Sequence, residues 1–124
     1  MPERIYTRGE ANELLPYLSP TLVELREKFE EAARIRAVIA QAAMTNGGSA
    51  NRDEEQRLLG RVAELLDRLR EWEIELRDVA TGLVDFPAIM QGEPAWLCWR
   101  LGEPEVNHWH GPDEGFVGRR SIEE

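Results

Sequence analysis

Between Leu58 and Val79 an apolar residue recurs at every third or fourth position: Leu58, Val62, Leu65, Leu69, Trp72, Leu76 and Val79. A chain with this pattern must bury one stripe of a helix against another apolar surface. A second run keeps the same spacing at Leu22, Leu25, Phe29, Ala32, Ile39 and Ala43, with Arg36 filling the gap. Between them lies Thr45-Asn46-Gly47-Gly48-Ser49-Ala50, too polar and glycine-rich to continue a helix. The spacing predicts two long helices packed as an antiparallel hairpin. One runs from Pro20 to about Met44. The other starts at Asn51 or Asp53 and stops at Thr81-Gly82. Arg36 then faces Gly60 to Glu64, with Glu64 as its expected partner. Leu59, Leu66 and Ile74 lie beside the stripe and need cover from the C-terminal part or from a second chain.

A short helix is expected before the hairpin. Thr7 and Glu10 form a capping-box pattern at its start, and it should end near Leu18. Pro16 kinks it or ends it early, and Ser19-Pro20 restarts a helix as N-cap and first helical residue.

Past Gly82 the pattern changes. Residues 83 to 124 hold five of the nine aromatic residues and four of the seven prolines. Glycines fall at 82, 92, 102 and 111, and two of them open the same tripeptide, Gly92-Glu93-Pro94 and Gly102-Glu103-Pro104. The segments between them, 83 to 89, 95 to 101 and 105 to 110, are strand-length and alternate, which predicts a meander of about three antiparallel strands. Pro87 suits an edge or a bulge. Alternation puts Ala95, Leu97, Trp99 and Leu101 on one face and Trp96, Cys98 and Arg100 on the other. Keeping the apolar face continuous sets Leu97 opposite Trp109, Cys98 opposite His108 and Trp96 opposite His110.

The 124 residues make one α+β domain, with residues 1 to 82 helical and residues 83 to 124 forming the sheet and tail. Net charge is −9, which disfavours nucleic acid and anionic membrane as partners. A lone cysteine excludes an internal disulfide. Without a signal-peptide pattern or an apolar run near membrane-spanning length, the expectation is a cytoplasmic protein. The apolar strips along the hairpin predict a homodimer through the helices.

The residues able to carry chemistry gather in the β part. His108 and His110 stand at i and i+2, so on a strand both rings point to one side, a spacing that metal ligands use. Cys98 sits on the same face, and Asp85, Glu103, Glu105 and Asp113 supply carboxylates. Nitrogen, sulfur and oxygen donors of this kind suit zinc or another divalent first-row metal. Cys98 as a nucleophile with His108 as its base is the alternative, although a mid-strand cysteine is ordinarily a small buried hydrophobe. Gly115 to Arg120 is the basic, glycine-rich stretch: its amides and arginines can hold an anion, or Phe116 can anchor the tail while an arginine pairs with Asp113 or Glu114.

Several segments taken together are similar to a known family. They are Tyr6-Thr7, Glu10-Ala11-Asn12, Leu14-Leu15-Pro16, Gly82 to Ala88, Leu97 to Glu103, Trp109-His110, Gly115-Phe116 and Gly118-Arg119. The chain resembles the bacterial domain-of-unknown-function family 2203. The resemblance implies a bacterial cytoplasmic setting, assigns no activity, and marks Asp85, Cys98, Trp99, Arg100, Glu103, Trp109, His110 and Arg119 as recurrent residues. His108 falls outside that pattern. The expected site is therefore a cluster of Asp85, Cys98, Arg100, Glu103, His110 and Arg119, with His110, Glu103 and Asp85 as metal ligands and His108 as a lesser candidate. The expected function is that of a binding or interaction protein rather than an enzyme, with a divalent metal such as zinc near His110. The alternatives are a helical dimerisation scaffold without a ligand and a small metal-dependent hydrolase.

Overall fold

The computed structural model describes residues 3–42 and 49–122. Two helices, α1 (Arg8–Ala42) and α2 (Ser49–Glu71), precede five strands: β1 (Glu75–Asp78), β2 (Leu83–Met90), β3 (Glu93–Arg100), β4 (His108–His110) and β5 (Arg120–Ser121). The strands form one antiparallel sheet in the order β1-β2-β3-β4-β5. The α+β class and the helical hairpin are as the sequence predicts.

The separate N-terminal helix is not observed: α1 runs unbroken from Arg8 through both prolines. Pro16 and Pro20 sit four residues apart on one exposed stripe. Both rings lie on the exposed side, while Leu18, Thr21 and Leu22 hold the helix from its buried side. The capping box at its start forms in both directions. Thr7 N–H donates to Glu10 Oε1 at 2.9 Å, and Glu10 N–H donates to Thr7 Oγ1 at 3.1 Å. The helix end expected near Met44 and most of the 45–50 connection lie outside the described residues.

The hairpin is antiparallel, with Glu24 bound to Arg61 and Thr21 to Arg68. Its register gives Arg36 a different partner from the one expected. Arg36 meets Glu55 at 3.0 Å, while Glu64 binds Arg61 one turn away on its own helix.

α2 stops at Glu71 rather than reaching Val79. Glu73 takes a left-handed φ of 58°. Ile74 N–H donates to Leu69 O at 3.0 Å and Glu73 N–H to Arg70 O at 3.0 Å. These are the two bonds of a Schellman ending, with Glu73 in the place glycine usually takes. Ile74 packs into the core beside Leu69, the apolar contact that commonly accompanies this motif. Leu76 and Val79 therefore leave the helix, and residues 75–78 become the first strand. The expected three strands become five, with β1 before the meander and the short β5 after it.

The expected faces and register hold. Leu97 pairs with Trp109, Cys98 with His108 and Trp96 with His110. Val84, Phe86, Ala88, Ala95, Leu97, Trp99 and Trp109 share the inner face and pack with Ala11, Leu18, Leu22, Val62, Leu65 and Leu69 in one core. Pro87 lies inside β2 beyond the last residue paired with β1. Its carbonyl accepts Tyr6 N–H at 2.8 Å, so its missing N–H faces the side where β1 has already ended. Gly82 has φ of 67° and turns the chain from β1 into β2; a Cβ there would lie 2.6 Å from the Leu101 side chain.

Candidate metal centre

Asp85, Cys98 and His110 come from three adjacent strands, and strand alternation turns all three to the outer face of the sheet. The inner face belongs to the helices, so the outer face needs another cover. The C-terminal strap, residues 111–122, supplies it. Arg119 and Arg100 both stack on Phe116, at 4.5 and 5.1 Å from the ring centroid, while Arg120, opposite Trp109 in the ladder, stacks on that inner-face ring at 4.4 Å and anchors the strap at the sheet edge. Glu114 ties the strap to itself by accepting from Gly111 N–H and pairing with Arg120, two contacts that hold its carboxyl below the usual range. Asp85, Cys98 and His110 are consequently 2%, 1% and 3% exposed.

One donor atom from each of these residues lies within 4.8 Å of the other two. His110 Nδ1 is 2.9 Å from Gly111 O and its Nε2 is 3.0 Å from Asp85 Oδ2. A carbonyl only accepts, so Nδ1 carries a hydrogen and donates it to Gly111. Nε2 is then left to hold either a proton, shared with Asp85, or a metal ion. An imidazole whose far nitrogen donates to a backbone carbonyl is oriented as a metal-bound histidine is. Arg77 Nε donates to Asp85 Oδ2 at 2.8 Å. The other oxygen, Oδ1, is buried without a hydrogen-bond partner among the described residues. An unsatisfied carboxylate oxygen in the interior is costly unless something cationic occupies the space before it.

Cys98 is poorly suited to nucleophilic chemistry. Burial pushes its thiol up to about 11, with the Arg119 guanidinium pulling against that rise and the Asp85 carboxylate adding to it. Both nitrogens of His110 are engaged elsewhere. A metal ion would reverse this logic, because coordination deprotonates a thiol outright.

The expected cluster is thus divided. Asp85, Cys98 and His110 converge, while the Glu103 carboxylate stands outside the converging set. It pairs with Arg119 and accepts Arg100 N–H. Burial raises the Glu103 carboxyl, and the bonds from Arg119 and Arg100 bring it below the ordinary range. Arg119 spans the two groups, its Nη1 lying 3.7 Å from Cys98 Sγ. His108 lies beside Cys98 in the ladder with a half-buried ring, and its donors stand outside the converging set. Trp99 belongs to the inner core and gives its indole N–H to Glu103 O at 3.1 Å. Arg77 was missed by sequence reasoning because it sits in the stretch that reads as helix. Asn12 is a second residue whose role the pattern hides: its Oδ1 accepts Val106 N–H at 2.6 Å, pinning the loop before β4 to α1.

No described helix is long and apolar enough to cross a membrane. Neither the curated proteins nor the solved structures contain a match to the chain. Over residues 4–122, however, it matches the family described as uncharacterized conserved protein, DUF2203, and with nearly its full length covered the chain belongs to that family.

Proposed function

We propose that this is a small cytoplasmic binding protein that holds one divalent transition metal of the zinc class between Asp85, Cys98 and His110. The observation that carries the reading is the buried Asp85 Oδ1, without a partner among the described residues, in a cluster whose histidine presents Nε2 inward. Carboxylate, thiolate and imidazole together suit zinc, or cobalt in its place. Ligands around tetrahedral zinc lie about 3.3–3.8 Å apart, given bonds of about 2.0–2.3 Å. The observed 4.8 Å spread needs a closure of roughly an ångström, within reach of side-chain adjustment. A reducing compartment keeps the single cysteine free to ligate. Arg77 and Arg119 act from outside, fixing Asp85 and Cys98 respectively.

The test is elemental analysis of untagged protein after exchange into metal-free buffer with and without added zinc. One equivalent per chain is expected, with affinity lowered at least about tenfold in His110→Ala and in Asp85→Asn. Far-ultraviolet circular dichroism checks that both variants stay folded. Folded wild-type protein that retains no metal, or a His110→Ala protein that retains as much, overturns the reading.

Pairing of two copies through the helices is a second element of the reading. Phe29 and Leu59 are 48% and 42% exposed and line a groove with Ala32 and Ala33. One patch therefore carries both a knob and a hole, with Arg36 and Glu55 beside them. An isologous dimer needs this self-complementarity.

A further inference from the structure

A metal held by three protein ligands keeps a fourth position, and the surroundings of that position decide what fills it. A cavity of about 330 Å³ lies against Asp85, Cys98 and His110. The strap roofs it with Pro112 and Phe116, Leu83 adds a further apolar wall, and Arg77 lines it as a cation. Asp113 also lines it, as an exposed carboxylate, while the neighbouring Glu114 is neutralised by Arg120.

Arg77 is held in a particular way. Its Nε alone is spent on Asp85, at 2.8 Å, and its guanidinium lies over the Trp96 ring at 5.0 Å from the centroid. Stacking and the Nε bond fix the plane of the group. Nη1 and Nη2 have no hydrogen-bond partner among the described residues. A planar guanidinium with its terminal fork open is a bidentate receptor for a carboxylate or phosphoryl group. Asp85 and a Cys98 thiolate together neutralise a divalent ion, and Glu103 neutralises Arg119. Arg77 is the cation that lines the half-enclosed space, and although the exposed Asp113 carboxylate lines it too, the open fork of Arg77 supplies the directed donors for an anion there.

Resting on the metal reading, we infer that the fourth position takes a small oxyanion, a carboxylate or phosphate group, shared between the metal and the fork of Arg77. The body of such a ligand meets Leu83, Pro112 and Phe116. The cavity has room for a group of small-molecule size.

The test uses the full chain loaded with cobalt, whose visible bands report both thiolate ligation and any change in the fourth ligand. Acetate and inorganic phosphate are titrated in separate arms, so the arm that binds more tightly identifies the preferred head group. The expected result is a saturable shift of the bands, with half-saturation, read on the cobalt-loaded fraction, raised about tenfold or more in Arg77→Gln. Arg77→Lys keeps the charge without the fork; it should show a similar loss, and it serves where the Gln variant loses cobalt. Cobalt bands that respond to neither anion, or respond equally in the variants, overturn this inference and leave the metal reading standing. A wild-type chain that binds no cobalt overturns the metal reading, and this inference with it.

Discussion

Buried ionisable side chains carry most of what is distinctive here. Asp85 is the clearest case, because Arg77 and His110 both meet one of its oxygens while the other has no partner among the described residues. Interior carboxylates kept only for structure ordinarily have both oxygens satisfied. Cys98 is similar in kind: a free thiol enclosed between an arginine and a carboxylate. In metal-free protein its raised pKa has a measurable consequence. The unfolded thiol ionises near 9.0 and the folded one near 11, so the unfolded chain gives up the proton first. Stability should therefore fall as pH rises through that window. Iodoacetamide should leave folded, metal-free protein almost unlabelled at pH 8 while labelling denatured protein fully. Rapid labelling of the folded chain at pH 8 would show that the thiol is neither buried nor suppressed. Asp85, Cys98, His110 and Arg119 were all nameable from the sequence as site candidates. Which of them converge was not legible, because Glu103 and Asp85 are the same chemistry until Arg119 occupies one of them.

Secondary-structure elements show where periodicity misleads. The helical spacing of Trp72, Leu76 and Val79 continues past the point where the helix ends, since residues in a turn and a strand can fall on that spacing by coincidence. What ends the helix is a left-handed residue that is not glycine, and glycine is the usual sequence signal for such an ending. Replacing Glu73 tests this account. Glu73→Gly should stabilise the protein by up to about 1 kcal/mol, seen as a higher urea midpoint at unchanged slope, because a left-handed glycine carries no Cβ penalty. The substitution also removes the hydrogen bond that Glu3 N–H donates to Glu73 Oε1, which is exposed and worth little. A lower midpoint would mean that the ending is held by the Glu73 side chain rather than by the backbone motif. In α1 the pattern misleads the other way: two prolines read as a boundary, yet the helix continues through both on its exposed side.

Across the whole molecule, the sheet has two covers. Helices bury its apolar inner face, and the strap covers an outer face that would otherwise present Asp85, Cys98 and His110 to water. On the hairpin, Phe29 and Leu59 remain half exposed among the described residues. Light scattering should give a mass near twice 14.2 kDa, reduced to that of one chain by Phe29→Glu. A monomer at all concentrations would remove the dimer from the proposed function. The acidic excess is also uneven, net −4 over residues 1 to 82 and −5 over the shorter remainder. It is densest in the part that holds the metal candidates. Local patterning alone determined the hairpin, the capping box, the two faces of the central strands and the pairing of Leu97 with Trp109. These follow from periodicities of 3.6 and 2, which a short stretch of sequence carries within itself. Only the tertiary structure decided that α2 ends at a Schellman turn, that Arg77 reaches Asp85, and that Cys98 rather than Glu103 stands beside His110. Those outcomes depend on groups far apart in the chain competing for the same partners. A one-dimensional pattern records which residues are present and carries no information about which of two carboxylates an arginine meets first.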